Sequence, residues 1–211
     1  MTKIFFDVDG VLIHGFHVKP ELRRLWSENL SRDLGILQED FEKHVVCSSN
    51  WTDVVEGRKS LENLLEEVLP YLNFKGSVQD IINYWVSNDS KIDKKLMELL
   101  YAIKQKNEKI EFYIATNQEH NRADYLWNNL RFKDIFEDIF YSAKMGMVKS
   151  NPEFFYSVNK QLGLKDENNI LFFDDSIKNV ESAKLANWNA FEYETIKDFV
   201  ENPLIKELLN T

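Results

Sequence analysis

The 211-residue sequence is short of cysteine, of clustered cations and of long apolar runs, and each shortage closes off a class of protein. Its one cysteine, Cys47, has no partner for an intramolecular disulfide and none with which to build a zinc-finger pair. No apolar stretch approaches the roughly 18 residues of a membrane-crossing helix. The N-terminus lacks the basic segment, apolar run and small-residue cleavage site of a secretory leader, so a reducing cytoplasm is the expected location. Lys and Arg number 26 against 35 Asp and Glu, giving a formal net charge of −9. General nucleic-acid binding, which draws its affinity from clustered Lys and Arg, is therefore not expected. No internal repeat and no low-complexity tract is present.

What the chain does contain is material for a packed interior: a hydrophobic fraction of 44%, with 15 Phe, 8 Tyr and 5 Trp. Strand-type apolar runs stand at "KIFF" (3 to 6), "IEFYIA" (110 to 115), "DIFYS" (138 to 142), "ILFF" (170 to 173) and "NAFEY" (189 to 193). Several are apolar on both alternating faces, as a sheet covered on both sides requires. Helical patterns such as "EHNRADYLWNNL", "PEFFYSVNKQLG" and "IKNVESAKLAN" follow the later runs. The alternation predicts an α/β fold with a doubly wound parallel sheet. Residues 14 to 92 depart from it, showing helical periodicity in "SLENLLEEVL" and "VQDIINYWV" and almost no strand signal. That interval is too long for a loop between a strand and a helix. It predicts a helical subdomain at 14–92 inserted into a core of residues 1–13 and 93–211. Asn151 before Pro152, Gly163 and Asn187 read as helix punctuation.

In open α/β sheets ligands bind beyond the carboxyl ends of the strands, so the residues after each run carry the functional signal. Asp7 and Asp9 follow the first run, Thr116 and Asn117 the second, and Asp174 and Asp175 the fourth, with Lys149 in the loop beyond the third. Singly, each has an ordinary alternative: a turn for the D-x-D, an N-cap pair for Thr116-Asn117, a solvated surface cation for Lys149. Together they place acid, hydroxyl, amine and acid along one sheet edge. Adjacent carboxylates repel unless something positive lies between them, and Mg²⁺ suits carboxylate, carbonyl and water oxygens. Asp7, Asp174 and Asp175 are the candidate ligands on these grounds.

The order "DVDG", "TN", "K" and "FFDDS", with a helical insertion after the first, resembles the haloacid dehalogenase superfamily of phosphohydrolases, in the branch with a helical cap. "VEGRKS" (55 to 60) is similar to a cap loop of that branch, and "DDSIKNVESA" follows its last motif; "KSNP" and Asn187 stand where the family commonly has K-P-x-P and glycine. The resemblance implies that Asp7 is the nucleophile and forms an aspartyl phosphate. Asp9 would serve as general acid and base, its backbone carbonyl joining Asp7, Asp174 and Asp175 around Mg²⁺. Thr116, Asn117 and Lys149 would hold the phosphate, and Arg58 is a candidate substrate-reading residue in the cap. The activity so implied is Mg²⁺-dependent hydrolysis of a small phosphorylated metabolite, with no nucleic-acid or membrane partner. A phosphomutase shares the first chemical step; a 2-haloacid dehalogenase would not need the acid at Asp9; and a phosphate-binding module without turnover is a non-enzymatic alternative.

Overall fold

The computed structural model describes residues 1–164 and 170–210. Among them, five strands form one parallel sheet: β1 Thr2–Phe6, β2 Ile110–Thr116, β3 Ile139–Tyr141, β4 Ile170–Asp174 and β5 Asn189–Glu192. Their order is β3-β2-β1-β4-β5, so the chain winds outward from β1 in one direction and then crosses to its other side. The reversal lies between β1 and β4, where a doubly wound sheet opens its ligand crevice.

Neighbouring side chains along a strand point to opposite faces, and the apolar runs fill both. Ile4 and Phe6 of β1, Phe112 and Ile114 of β2, and Leu171 and Phe173 of β4 pack into one layer. Phe5, Tyr113, Ala115 and Phe172 pack into the other. The helix Lys94–Lys106 covers the first face with Leu96, Leu100 and Ile103. The helices Glu153–Leu162 and Ile177–Leu185 cover the second with Phe154, Phe155, Val158, Val180 and Ala183. Phe6 stacks on Phe173 at 5.7 Å, locking β1 to β4 just below the acidic residues. Each such buried ring contributes roughly 1.5–3 kcal/mol of burial free energy.

Between residues 14 and 92 the chain forms a separate helical layer. The helices Leu61–Val68 and Val78–Asn88 join three shorter ones, Leu30–Leu34, Gln38–Phe41 and Trp51–Val55, around their own apolar cluster, which includes Phe41, Leu64, Leu65, Ile81 and Trp85. Ser60 and Ser77 cap the two longer helices, as their position before the periodic runs requires. The insertion leaves and rejoins the core at a narrow neck: Ile13 bridges Ile92 in antiparallel fashion, and the His14 N–H donates to the Lys91 carbonyl at 2.8 Å.

Local details differ from the sequence reading in two places. The "EHNRADYLWNNL" stretch is not one regular helix: His120–Asp124 is α-helical and continues as a π-helical turn over Tyr125–Asn129. The helix after Lys149 opens at Glu153 rather than at Pro152, with Asn151 Oδ1 accepting the Glu153 N–H at 3.1 Å. Gly163 and Asn187 both take the left-handed conformation, at φ +63°. A β-branched side chain at position 187 would meet the full steric penalty of that conformation. Asn187→Val is therefore expected to cost about 1–2 kcal/mol and Asn187→Gly to be neutral or stabilising. Denaturant midpoints at an unchanged m-value would measure both.

Candidate active site at the carboxyl edge of the sheet

The register of the two central strands forces acids together. Phe6 pairs with Phe173, the Asp7 N–H donates to the Phe173 carbonyl at 2.9 Å, and the chains then present Asp7 and Asp174 side by side. Oxygens of Asp7, Asp174 and Asp175 all lie within 4.8 Å of one another. At about 5 Å and an effective dielectric of about 20, each such pair repels by roughly 3 kcal/mol.

Lys149 relieves part of this. Its side chain is fully buried, with Nζ 2.7 Å from Asp7 Oδ1 and 2.6 Å from Asp174 Oδ2. Burial opposes the ammonium charge, but Asp174 and Asp7 hold the lysine above its ordinary value. Lys149 is thus no surface cation. Asp174 is further fixed by the Ser176 N–H at 2.8 Å and by Asn179 Nδ2 at 3.1 Å. Asp175 Oδ2 accepts the Val18 N–H at 2.7 Å, from the first residues of the insertion.

Three carboxylates against one ammonium leave an excess of negative charge. Burial pushes Asp7 up to about 7 even with Lys149 pulling the other way. Burial, and then the charge of Asp7, also push Asp175 up to about 7. A cluster of hard oxygens that resists full ionisation fits a hard divalent cation. Gly10 makes room for the Asp175 carboxylate: at φ +78° a Cβ there would stand 2.6 Å from Asp175 Oδ2.

The remaining predicted residues divide. Thr116 ends β2, fully buried. Asn117 Oδ1 accepts the Lys149 N–H at 2.9 Å, so its side chain anchors the lysine's loop. Glu119 caps the following helix, a role Thr116 and Asn117 do not take. A cavity of about 280 Å³ opens beside Asp7, Asp9, Thr116, Asn117 and Asp175. The Asp9 carboxylate stands outside the three-acid group: Oδ1 takes Arg122 Nη2 at 2.8 Å and Oδ2 takes Gln118 Nε2 at 2.6 Å. That leaves its backbone carbonyl as the group the family resemblance assigns to the metal. Arg58 is not brought to the acids; its half-exposed guanidinium engages Asp53 at 2.7 Å and Glu56.

Sequence reasoning passed over Arg122, Gln118 and Asp89. Buried Arg122 joins Asp9 to Asp89, which it meets at Oδ2 over 2.9 Å, and burial raises Asp89 to about 6 against the pull of that guanidinium. A signal for Arg122 was available, since it lies one turn before buried Leu126 and thus on the inward face of its segment. Asp89 gave none, because its partner is 33 residues away.

The model of the haloacid dehalogenase-like hydrolases matches residues 2–187. The chain belongs to this family. The hydrolase is 28% identical over 193 residues to Phosphate metabolism protein 8 of Saccharomyces cerevisiae, covering 85% of this chain and 57% of the yeast protein. It thus spans little more than half the length of that relative. A predicted HAD-like family hydrolase of Porphyromonas gingivalis superposes with a TM-score of 0.74, covering 100% of this chain and 98% of its own, at 21% identity. A HAD family enzyme of Bacteroides thetaiotaomicron, solved in complex with magnesium and inorganic phosphate, gives 0.72 over 91% and 93% of the two chains at 20% identity. At these identities the structural likeness is one of fold.

The raised carboxyls set a pH dependence for the metal-free hydrolase. Asp7, Asp175 and Asp89 keep their protons to higher pH in the fold than in the unfolded chain, so folding loses stability as pH rises from about 4 to about 7. The melting temperature without metal should be several degrees lower at about pH 7.5 than at about pH 5.5. A hard divalent cation should recover the difference at the higher pH and do less at the lower, as thermal denaturation with and without the ion will show.

Proposed function

We propose that this hydrolase is a Mg²⁺-dependent phosphomonoesterase for a small phosphorylated metabolite, working through an aspartyl phosphate on Asp7. The observation that carries the reading is the buried Asp7–Lys149–Asp174 bridge beside Asp175, a preformed site for a dication and a phosphate together. The magnesium and phosphate held by the Bacteroides enzyme of the same fold support it.

Both fixed contacts of Asp7 run to Oδ1, from Lys149 and from the Val8 N–H at 2.7 Å, which leaves Oδ2 to attack phosphorus. As the Oδ2–P bond forms, the ester P–O bond breaks, and Asp9 gives a proton to the departing alkoxide. Water then attacks the phosphorus of the aspartyl phosphate while Asp9 takes its proton, releasing phosphate and restoring Asp7. For the first proton transfer Asp9 must already carry a proton, taken up from water on one oxygen, and the oxygen freed for it is the one held by the neutral amide of Gln118, the weaker of its two partners. Arg122 keeps the other oxygen and so holds Asp9 over the cavity.

Thr116 Oγ1, the Asn117 N–H and Lys149 would grip the transferring phosphoryl oxygens, where charge placement sets the rate. Asp7, Asp174, Asp175 and the Asp9 carbonyl would hold Mg²⁺, which when bound neutralises the phosphate and lets it approach the carboxylates. Arg58, on this geometry, acts within its own loop.

Asp7→Asn should lower turnover of a generic phosphomonoester by at least about a thousandfold with the circular dichroism spectrum unchanged. Retention of a tenth of the activity would contradict the covalent role. EDTA should abolish phosphate release and excess Mg²⁺ restore it; full turnover in chelator would remove the metal.

A further inference from the structure

Next to the phosphate-sized cavity lies a larger one of about 600 Å³, a cleft between the helical insertion and the sheet edge. Asp9, Phe16 and Asn117 line both, so the two spaces meet where the scissile bond would lie. The volume is that of a site for a drug-sized molecule, on the scale of ~300–1,000 Å³.

Most of the lining surface is apolar, interrupted by Arg24, Ser27, Glu42 and Glu119. Trp26, Phe41, Trp51 and Trp85 form a ring cluster, with Trp26 and Trp51 stacked on Trp85 at 4.8 and 5.6 Å and Phe41 edge-on to it at 5.5 Å. Val46 and Val55 extend the surface. On the floor Gln118 and Arg122 are engaged with Asp9, and Arg122 also with Asp89, which leaves Arg122 Nε and Asp89 Oδ1 without a partner. Arg23 is turned to the His17 carbonyl at 2.7 Å and to the ring of Phe16.

A polyhydroxylated leaving group lying against the four rings would give up its hydrogen bonds to water and find few replacements along that wall. An apolar one would gain about fourfold in binding for each methylene taken out of water. We infer that this chamber is the leaving-group subsite and that it selects phosphomonoesters with a bulky apolar alcohol portion, alkyl or aryl, over sugar and polyol phosphates. The inference rests on the phosphomonoesterase reading. The freed alcohol, carrying the proton from Asp9, stays in the chamber when the P–O bond breaks.

Rates with n-octyl phosphate and glycerol 3-phosphate decide it, because both release alkoxides of similar basicity and differ in the polarity of the remainder. The octyl ester should have the higher kcat/KM by at least about a hundredfold; equal or reversed values overturn the inference. A second measurement is independent of turnover: calorimetric binding of 1-naphthol should be saturable and weaken at least about tenfold in Val46→Glu, which puts a carboxylate into the wall at a position 38% exposed. The melting temperature of the variant checks that it is folded. Naphthol binding with no hydrolysis of any ester sinks the phosphomonoesterase reading but not the chamber's preference. Hydrolysis of all esters alike without naphthol binding sinks the chamber's preference alone.

Discussion

Two acids cannot end adjacent parallel strands in a low-dielectric crevice without a cation between them, and much of this molecule is arranged around that constraint. The β1–β4 register places Asp7 against Asp174, and Lys149 is the buried ammonium that makes the pairing tolerable. Asn117 fixes the backbone of Lys149, and Asn179 and the Ser176 N–H fix Asp174. The lysine compensates only part of the charge, and burial, with the charges of the neighbouring acids added to it, keeps Asp7 and Asp175 raised. A site left deliberately electron-rich in this way is prepared for a dication rather than stabilised as an isolated ion pair.

The division of labour between the layers follows from their packing. The sheet edge is firmly packed because its central strands are buried on both faces, which suits groups held in fixed positions for the proposed phosphoryl transfer. The helical insertion has its own core and joins the sheet through a narrow neck. Asp9 sits at the meeting point. Arg122 ties it to Asp89, at the end of the Val78–Asn88 helix, and Gly15 has no Cβ because Asp89 occupies that space. Asp9, the proposed acid–base residue, is therefore coupled to the segment by which the insertion returns to the core.

Much of the fold was legible from short-range pattern. All five strands stand where the apolar runs predicted them, because near-continuous burial along β1, β2 and β4 leaves short apolar runs bounded by polar residues. Asp7, Asp174, Asp175, Thr116 and Lys149 were legible because each follows a strand or sits in the loop beyond one, and parallel topology brings such positions to one edge. The π-helical turn at Tyr125–Asn129 was not legible, since its apolar spacing is close to that of an α-helix over one turn. The local pairing of Arg58 with Asp53 and Glu56 was not legible either, since sequence adjacency to a cap loop says nothing about where a long side chain turns.

The sequence alone thus determined the strand order of chemistry along the chain: which residue types leave the sheet, in what succession, and that a helical insertion separates the first from the second. Only the tertiary structure decided which of them meet. The burial of Lys149 between two acids, the capture of Asp9 by Arg122 and Gln118, and the apolar chamber above them depend on contacts between residues 25 to 142 positions apart. Periodicity reports which face of an element is buried, but partners across such distances are chosen by the packing of layers, and that choice is not written in any local stretch of the chain.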